Sequence, residues 1–352
     1  MRHLRRIVCA ALVLGLAAGG LVAASDAVYP AAQWTEVDPA AKGWSAEKLQ
    51  QADELARQLR SAAYLVVHEG VIVHRFGDIE RPLDVASVRK SLLSLLIGMQ
   101  TGRGGIDLDK SLGELGIDDK AGLTADEKRA TVRQLMQARS GVYLPAANET
   151  PDMARQRPER GSHAPGTFWY YNNWDFNVLG TVYQRATGRT VFEGLEAELA
   201  QPLGFQDLQP AKHFRFNRID ASEHPAYMMW LSARDLARIG LLVSRQGRWG
   251  PRQIVAPEWI AESTRAVTTF PPGGAYGYMW WTRPAFGNVW AEGSRGQFLL
   301  INAARDLVVV HRVGWGLFDG PGVDAEQFTA LYRRILAAAP WRRDTPAAPK
   351  AP

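Results

Sequence analysis

The run Ser87-Val88-Arg89-Lys90 sets a hydroxyl and an amine three residues apart, at the head of the largely apolar stretch 91–99. On one helical turn, residues at this spacing share a face, with Cβ atoms within about 6 Å. A helix N-terminus already carries the positive end of the macrodipole, so a lysine there is poorly placed for a structural role. That field, with desolvation by the leucines that follow, disfavours the ammonium and depresses its pKa. A lysine so depressed can take the proton of a serine hydroxyl. Free N–H groups of the first turn can stabilise an oxyanion forming beside it. The implied chemistry is acyl transfer, with Ser87 as nucleophile. The spacing equally fits a structural role, in which Ser87 caps the helix and Lys90 snorkels to water along its stem. Ser45 and Lys48 repeat the pattern at the head of a polar helix, where a lysine is ordinary.

A second stretch, "PGTFWYYNNWDFNVLG" at 165–180, crowds aromatics and asparagines beside a Pro-Gly turn. A tyrosine near a Ser/Lys pair can relay protons, because one phenol both accepts and donates. An asparagine can orient the lysine and a substrate amide. Aromatics beside a turn also serve simply as core packing. Other chemistries lack support. The histidines after residue 24 show no paired ligand spacing, so no metal is expected. No Gly-rich loop opens a helix after a strand, and no Gly-x-Ser-x-Gly elbow surrounds Ser87. No cofactor is expected.

These residues must be held by elements that the pattern outlines. "AEKLQQADELARQLR" is an amphipathic helix with Leu49, Leu55 and Leu59 inward, and "YLVVHEGVIVHRF" a hairpin turning at Glu69-Gly70. The next ~170 residues show helical runs and few strand signals. Within them Ser232 and Asp235 cap a helix that stops near Gly247. Strand character returns in "AYGYMWWT", "QFLLI" and "DLVVVHRV", and a helix at about 324–338 closes the fold. Strands at both ends with helices between predict an α/β fold: one antiparallel sheet built from both chain ends and flanked by helices. Residues 28–86 and 256–340 form that sheet subdomain, 87–255 an inserted all-helical subdomain, and 341–352 a solvated tail.

The first 24 residues have a basic start, "MRHLRR", an apolar run and small residues before Ser25, the pattern of a cleaved export signal. A kept membrane anchor is the alternative; after cleavage no stable membrane insertion is expected, and the protein is exported, to the periplasm or beyond. Removing the segment lowers the formal net charge of +5 by three. With no clustered basic face, that argues against a nucleic-acid partner. Cys9, the single cysteine, lies in the same segment, so the mature chain has no disulfide and no thiol chemistry.

Taken in order, "SVRK", "PGTFWYYNNWDFNVLG", "MMWLSARDLARIGLLVSRQGRWG", "YGYMWW" and "GSRGQF" resemble the serine hydrolases of the β-lactamase and penicillin-binding-protein superfamily. The resemblance spans roughly residues 43–340, within the class C–related branch that includes esterases and 6-aminohexanoate-dimer hydrolases. It implies Ser87 as nucleophile, Lys90 as its partner, and a Tyr-x-Asn motif. Family spacing from Pro165 and Leu179 selects Tyr171 with Asn173, leaving Tyr170 to line the cleft. The family's third motif falls on Ala291-Glu292-Gly293-Ser294. Gly293 lets backbone approach substrate, and Ser294 N–H becomes the second oxyanion donor beside that of Ser87. The cation that opens this motif elsewhere is missing, which argues against a β-lactamase or D,D-carboxypeptidase, the alternative within the enzyme class, with Arg295 left open as a substitute from a different position; Glu292 is read as an outward-facing strand residue, with a substrate contact as the alternative. The resemblance implies a small amide or ester substrate, held against Trp169, Tyr170, Trp174 and the "YGYMWW" aromatics. A non-catalytic ligand-binding descendant of the fold is the alternative from another class.

Overall fold

The computed structural model describes residues 27–314 and 322–341. The export segment expected at 1–24, and residues 342–352 of the expected tail, lie outside the described residues. No helix among the described residues is long and apolar enough to cross a membrane. The strands are β1 (Ala63–His68), β2 (Val71–Gly77), β3 (Leu83–Asp84), β4 (Phe214–Ile219), β5 (Ser222–Leu231), β6 (Arg248–Trp249), β7 (Arg252–Gln253), β8 (Thr268–Phe270), β9 (Gly274–Tyr276), β10 (Trp281–Arg283), β11 (Asn288–Gly293), β12 (Gln297–Asn302) and β13 (Leu307–Arg312). The helices that matter most are α1 (Ala46–Gln58), α2 (Val88–Gly102), α3 (Asn173–Thr187), α4 (Ala233–Ser244) and α5 (Ala325–Ala338).

Eight strands form one antiparallel sheet in the order β2-β1-β13-β12-β11-β10-β9-β8, so the first hairpin pairs with the last strand. Leu65, Val310 and Leu299 make one row across β1, β13 and β12, and Val67, Val308 and Ile301 another. These rows join the core beneath α2 and α4. The residues between them, Tyr64, Val66, Val309, Phe298 and Leu300, point the other way and pack with Leu49 of α1 and Phe328, Leu331 and Ile335 of α5. Side chains alternate across a strand, so a sheet buried on both faces reads as a continuous apolar run, as "LVVV" does here. On α1, Leu49, Ala52 and Ala56 are buried, while Leu55 and Leu59 sit at the edge of the cluster. On α4, Gly240 touches the sheet: a Cβ there would lie 2.4 Å from Val308 Cγ1 and 2.9 Å from Leu299 Cδ1.

The α/β class and the two-ended antiparallel sheet match the expectation, but the insertion is not all-helical. It carries β4, β5, β6 and β7, and β3-β5-β4 form a second sheet that walls the cleft described below. The physical reason was present in "FRFNRI", whose phenylalanines alternate with an exposed arginine as strand side chains do. Nor is "AYGYMWWT" one strand. Gly277 N–H donates to Trp280 O, and Met279 takes φ +63°, so the chain turns between β9 and β10.

Candidate active site

α2 begins where β3 ends, and the link is tight. Ala86 adopts a left-handed φ of +47°, held by its N–H donating to Asp84 Oδ1 at 2.7 Å. Arg89 Nη1 donates back to Ala86 O at 2.7 Å. A non-glycine residue at positive φ costs energy that the surroundings must offset, and such residues cluster at functional sites. Ser87 follows at the N-cap position, yet its side chain makes no capping hydrogen bond. Ser45 of the second Ser-x-x-Lys copy does cap α1, accepting from Lys48 N–H. The two copies thus part company: Ser45 serves its helix, and the Ser87 hydroxyl is left for the cleft.

Lys90 is only 2 % exposed. Its Nζ lies 3.0 Å from Ser87 Oγ, 2.7 Å from Tyr171 OH and 2.7 Å from Asn173 Oδ1. Asn173 Nδ2 donates to Asn148 O, which fixes the amide so that Oδ1 faces the lysine. A neutral amine has two N–H bonds and one lone pair. One N–H goes to Asn173, leaving one donor and one acceptor for the two hydroxyls, which is what a proton exchange between them needs. The nitrogen also sits 4.2 Å from the Tyr171 ring centre and 4.5 Å from that of Phe176. Burial drives the Lys90 pKa well below the ordinary lysine value, and the neighbouring Arg89 guanidinium pushes the same way. Burial pushes the Tyr171 phenol up to about 12, against the pull of its hydrogen bond with Ser87 and of Arg89. At neutral pH the phenol therefore keeps its proton.

Tyr171 and Asn173 meet Lys90 because the loop before α3 delivers the tyrosine and the first residue of α3 is the asparagine. Asn172 caps α3, its Oδ1 accepting from Asp175 N–H at 2.9 Å. Asp175 is fully buried, bonded to Ser140 Oγ, and burial raises its pKa to about 8.

Ser87 opens into a cleft of about 700 Å³ between the two sheets. Tyr171, Asn173, Trp281, Glu292 and Ser294 line one part, and Arg215, Met228 and Trp230 of β4 and β5 another. Gly293 has the close-approach role: a Cβ on it would lie 2.5 Å from Val85 O and 3.0 Å from Ala86 Cβ. Without a side chain, the end of β11 seats against the Ser87 loop and brings Ser294 into the cleft. Four expectations fail. Tyr170 does not line the cleft; its OH donates to Met153 O and its ring packs edge-on to Tyr143. Trp174 is buried, its indole donating to Asp119. Trp169 stands behind Tyr171, against Phe270 and Tyr276. Glu292, expected to face outward, lines the cleft. Strand alternation gives a side chain's parity but not which face of a wall the ligand meets. Asn148, Arg215 and Trp230 were missed, the last two for want of reading β4 and β5 as strands.

The β-lactamase family model matches residues 45–311. Similar solved structures include a candidate 6-aminohexanoate-dimer hydrolase from Bacillus anthracis, at 18% identity and TM-score 0.64, covering 89% of this chain and 87% of that one. The octameric penicillin-binding protein homologue from Pyrococcus abyssi aligns at 18% identity and TM-score 0.62, over 84% of this chain and 78% of that one. A class C β-lactamase mutant aligns at 15% identity and TM-score 0.59, over 83% of this chain and 97% of that one. At these identities the structures speak for the fold; the family match, with the Ser87–Lys90–Tyr171 geometry inside it, speaks for the chemistry. The chain belongs to the β-lactamase family, and with it to the superfamily of serine hydrolases that also holds the penicillin-binding proteins.

Proposed function

We propose that this protein is an exported serine hydrolase that cleaves a small amide or ester through an acyl-enzyme on Ser87. The observation that carries the reading is the buried Lys90 amine, held within hydrogen-bond distance of both the Ser87 and Tyr171 hydroxyls, with no acid paired to it among the described residues. Ser87 Oγ attacks the substrate carbonyl as its proton passes to neutral Lys90. The oxyanion rests between the N–H groups of Ser87 and Ser294. Tyr171, protonated and 2.7 Å from Lys90 Nζ, hands a proton to the departing amine or alcohol and recovers one from the lysine. The carbonyl re-forms, the C–N or C–O bond breaks, and Ser87 is left acylated. Water, giving its proton back along the same route, then releases the acid and restores the Ser87 hydroxyl. Tyr171, Trp281 and Trp230 supply the apolar surface against which a small substrate rests. The proposal of export rests on the pattern of residues 1–24.

A fluorophosphonate probe followed by peptide mass spectrometry tests the nucleophile. Labelling is expected on Ser87 and lost in Ser87→Ala. Hydrolysis of a p-nitrophenyl ester beside a chromogenic cephalosporin ranks the substrate classes. Fast cephalosporin turnover without ester cleavage would replace the reading with a β-lactamase, and an unlabelled Ser87 would leave only a binding role.

A further inference from the structure

Between Ser87 and Lys90 stands Arg89, a charged side chain that is only 1 % exposed. Three arginines are buried among the described residues, and the other two are well answered. Arg238 donates to the carbonyls of Leu203, Ala31 and Ala32 and to Gln206, with Asp235 acting on its charge. Arg312 donates to Gln297 and to the carbonyls of Leu83 and Asp84, with the Asp84 carboxylate acting on it. Arg89 is different. It gives one hydrogen bond, from Nη1 to Ala86 O at 2.7 Å, and its guanidinium lies 5.5 Å from the Tyr227 ring. Its Nε and Nη2 are buried with no hydrogen-bond partner among the described residues.

A buried guanidinium so poorly partnered is a cost to the fold. Its placement shows what the cost maintains. Ala86, whose carbonyl takes the one bond, is the residue held at φ +47° directly before Ser87. With Asp84 Oδ1 on the Ala86 N–H and Arg89 on the Ala86 carbonyl, both polar groups of that strained residue are held. The next amide along is the Ser87 N–H of the oxyanion site. The charge reaches the chemistry too, pushing Lys90 down and opposing the rise of the Tyr171 and Tyr227 phenols. The other titratable groups at this corner do not cancel it at neutral pH. Tyr171, Tyr227 of β5 and Tyr276 of β9 keep their protons, and burial lifts Asp175 of α3 to about 8. Burial also raises Glu292 of β11, against the pull of Trp290 and Arg283.

We propose that Arg89 is a positioning residue of the hydrolase: it fixes the turn that presents Ser87 and sets a standing positive charge behind the nucleophile and its lysine. This deepens the hydrolase reading and rests on it. Such a charge favours the free amine before attack and the oxyanion after it.

The test uses the whole enzyme and two variants. Arg89→Gln removes the charge and keeps an N–H donor for Ala86 O; Arg89→Met removes both. With a p-nitrophenyl ester, the acid limb of kcat/KM should move to higher pH by about one unit or more in both, an about tenfold loss at a pH on that limb. On the plateau above it, Arg89→Gln should lose a few-fold, and Arg89→Met about tenfold more, chiefly in kcat, as the turn is released. Melting temperatures should equal or exceed that of the wild type, because an unpaired buried charge is gone. A limb that stays in place in both variants, or a lower melting temperature with an unchanged pH profile, would overturn the proposal and leave Arg89 a packing residue. Isotope-edited NMR of Cε-labelled lysines reads the Lys90 amine without turnover, its signal assigned by loss in Lys90→Met. That titration should move up by the same interval in Arg89→Gln, and an unmoved titration counts against the proposal. Failure of the hydrolase reading looks different: the ester stays intact and the fluorophosphonate leaves Ser87 bare, while the lysine titration still decides what Arg89 does to Lys90.

Discussion

At the scale of residues, the site turns on the opposite effects of burial on two groups. Taking Lys90 and Tyr171 out of water favours the uncharged form of each, which lowers one pKa and raises the other. The pair therefore enters catalysis as free amine and phenol, ready for both directions of transfer. Activity should rise with pH as Lys90 loses its proton, at a pH well below that of an ordinary lysine, then hold level until Tyr171 ionises near 12. A pH profile of kcat/KM reads this directly. Tyr171→Phe should lower kcat by about 10²–10³-fold while the acid limb stays, since that limb belongs to the lysine. Asp175 bears on stability. Its folded pKa of about 8 stands above that of an unfolded aspartate, so its contribution is full at pH below about 4 and is lost as pH rises through about 8. Thermal melts of wild type should fall over that window. Asp175→Asn, which keeps an acceptor for Ser140, should flatten the fall.

At the scale of elements, two glycines decide how closely pieces of chain can meet. At Gly293 the neighbour is backbone, Val85 O, which has no rotamer to give. Gly293→Ala should shift the β11 end relative to the Ser87 loop and lower kcat/KM by about 10²-fold, with a smaller effect on the melting temperature. At Gly240 the neighbours are Val308 and Leu299 in the middle of the sheet. Gly240→Ala should cost about 1–3 kcal/mol in denaturant titration, because overpacking a filled core forces side chains off their rotamers. Activity in the fraction that remains folded should be near normal, as α4 lies away from the cleft lining.

For the whole molecule, closing β1 against β13 ties the two ends of the chain into one sheet with a core on either face. α5 covers the face away from the cleft, with Phe328 stacked on Phe298 at 4.2 Å. Phe328→Ala should cost about 3–5 kcal/mol. Because the other face of the same strands carries the core shared with α2, whose start holds Ser87 and Lys90, loss of activity on heating should coincide with loss of far-UV circular dichroism in a single transition. Activity that outlasts the dichroism, or fades well before it, would separate the two cores.

The residues of the machinery were legible in the sequence because their chemistry is local: a Ser-x-x-Lys spacing works on one turn of any helix, and the apolar run behind it foretells desolvation. Tyr171 and Asn173 could be singled out by family spacing from Pro165 and Leu179, but their approach to Lys90 across 81 and 83 residues is a tertiary fact. The continuous apolar, β-rich runs at both ends likewise announced a sheet. The cleft walls were another matter. Whether Tyr170, Trp174 or Glu292 meets the ligand depends on which layer covers each face, and neighbours in sequence turn to different surroundings in space. Chain order sets the residue types and their period, but only packing decides which side of each element is left open, and substrate selection lives on that open side.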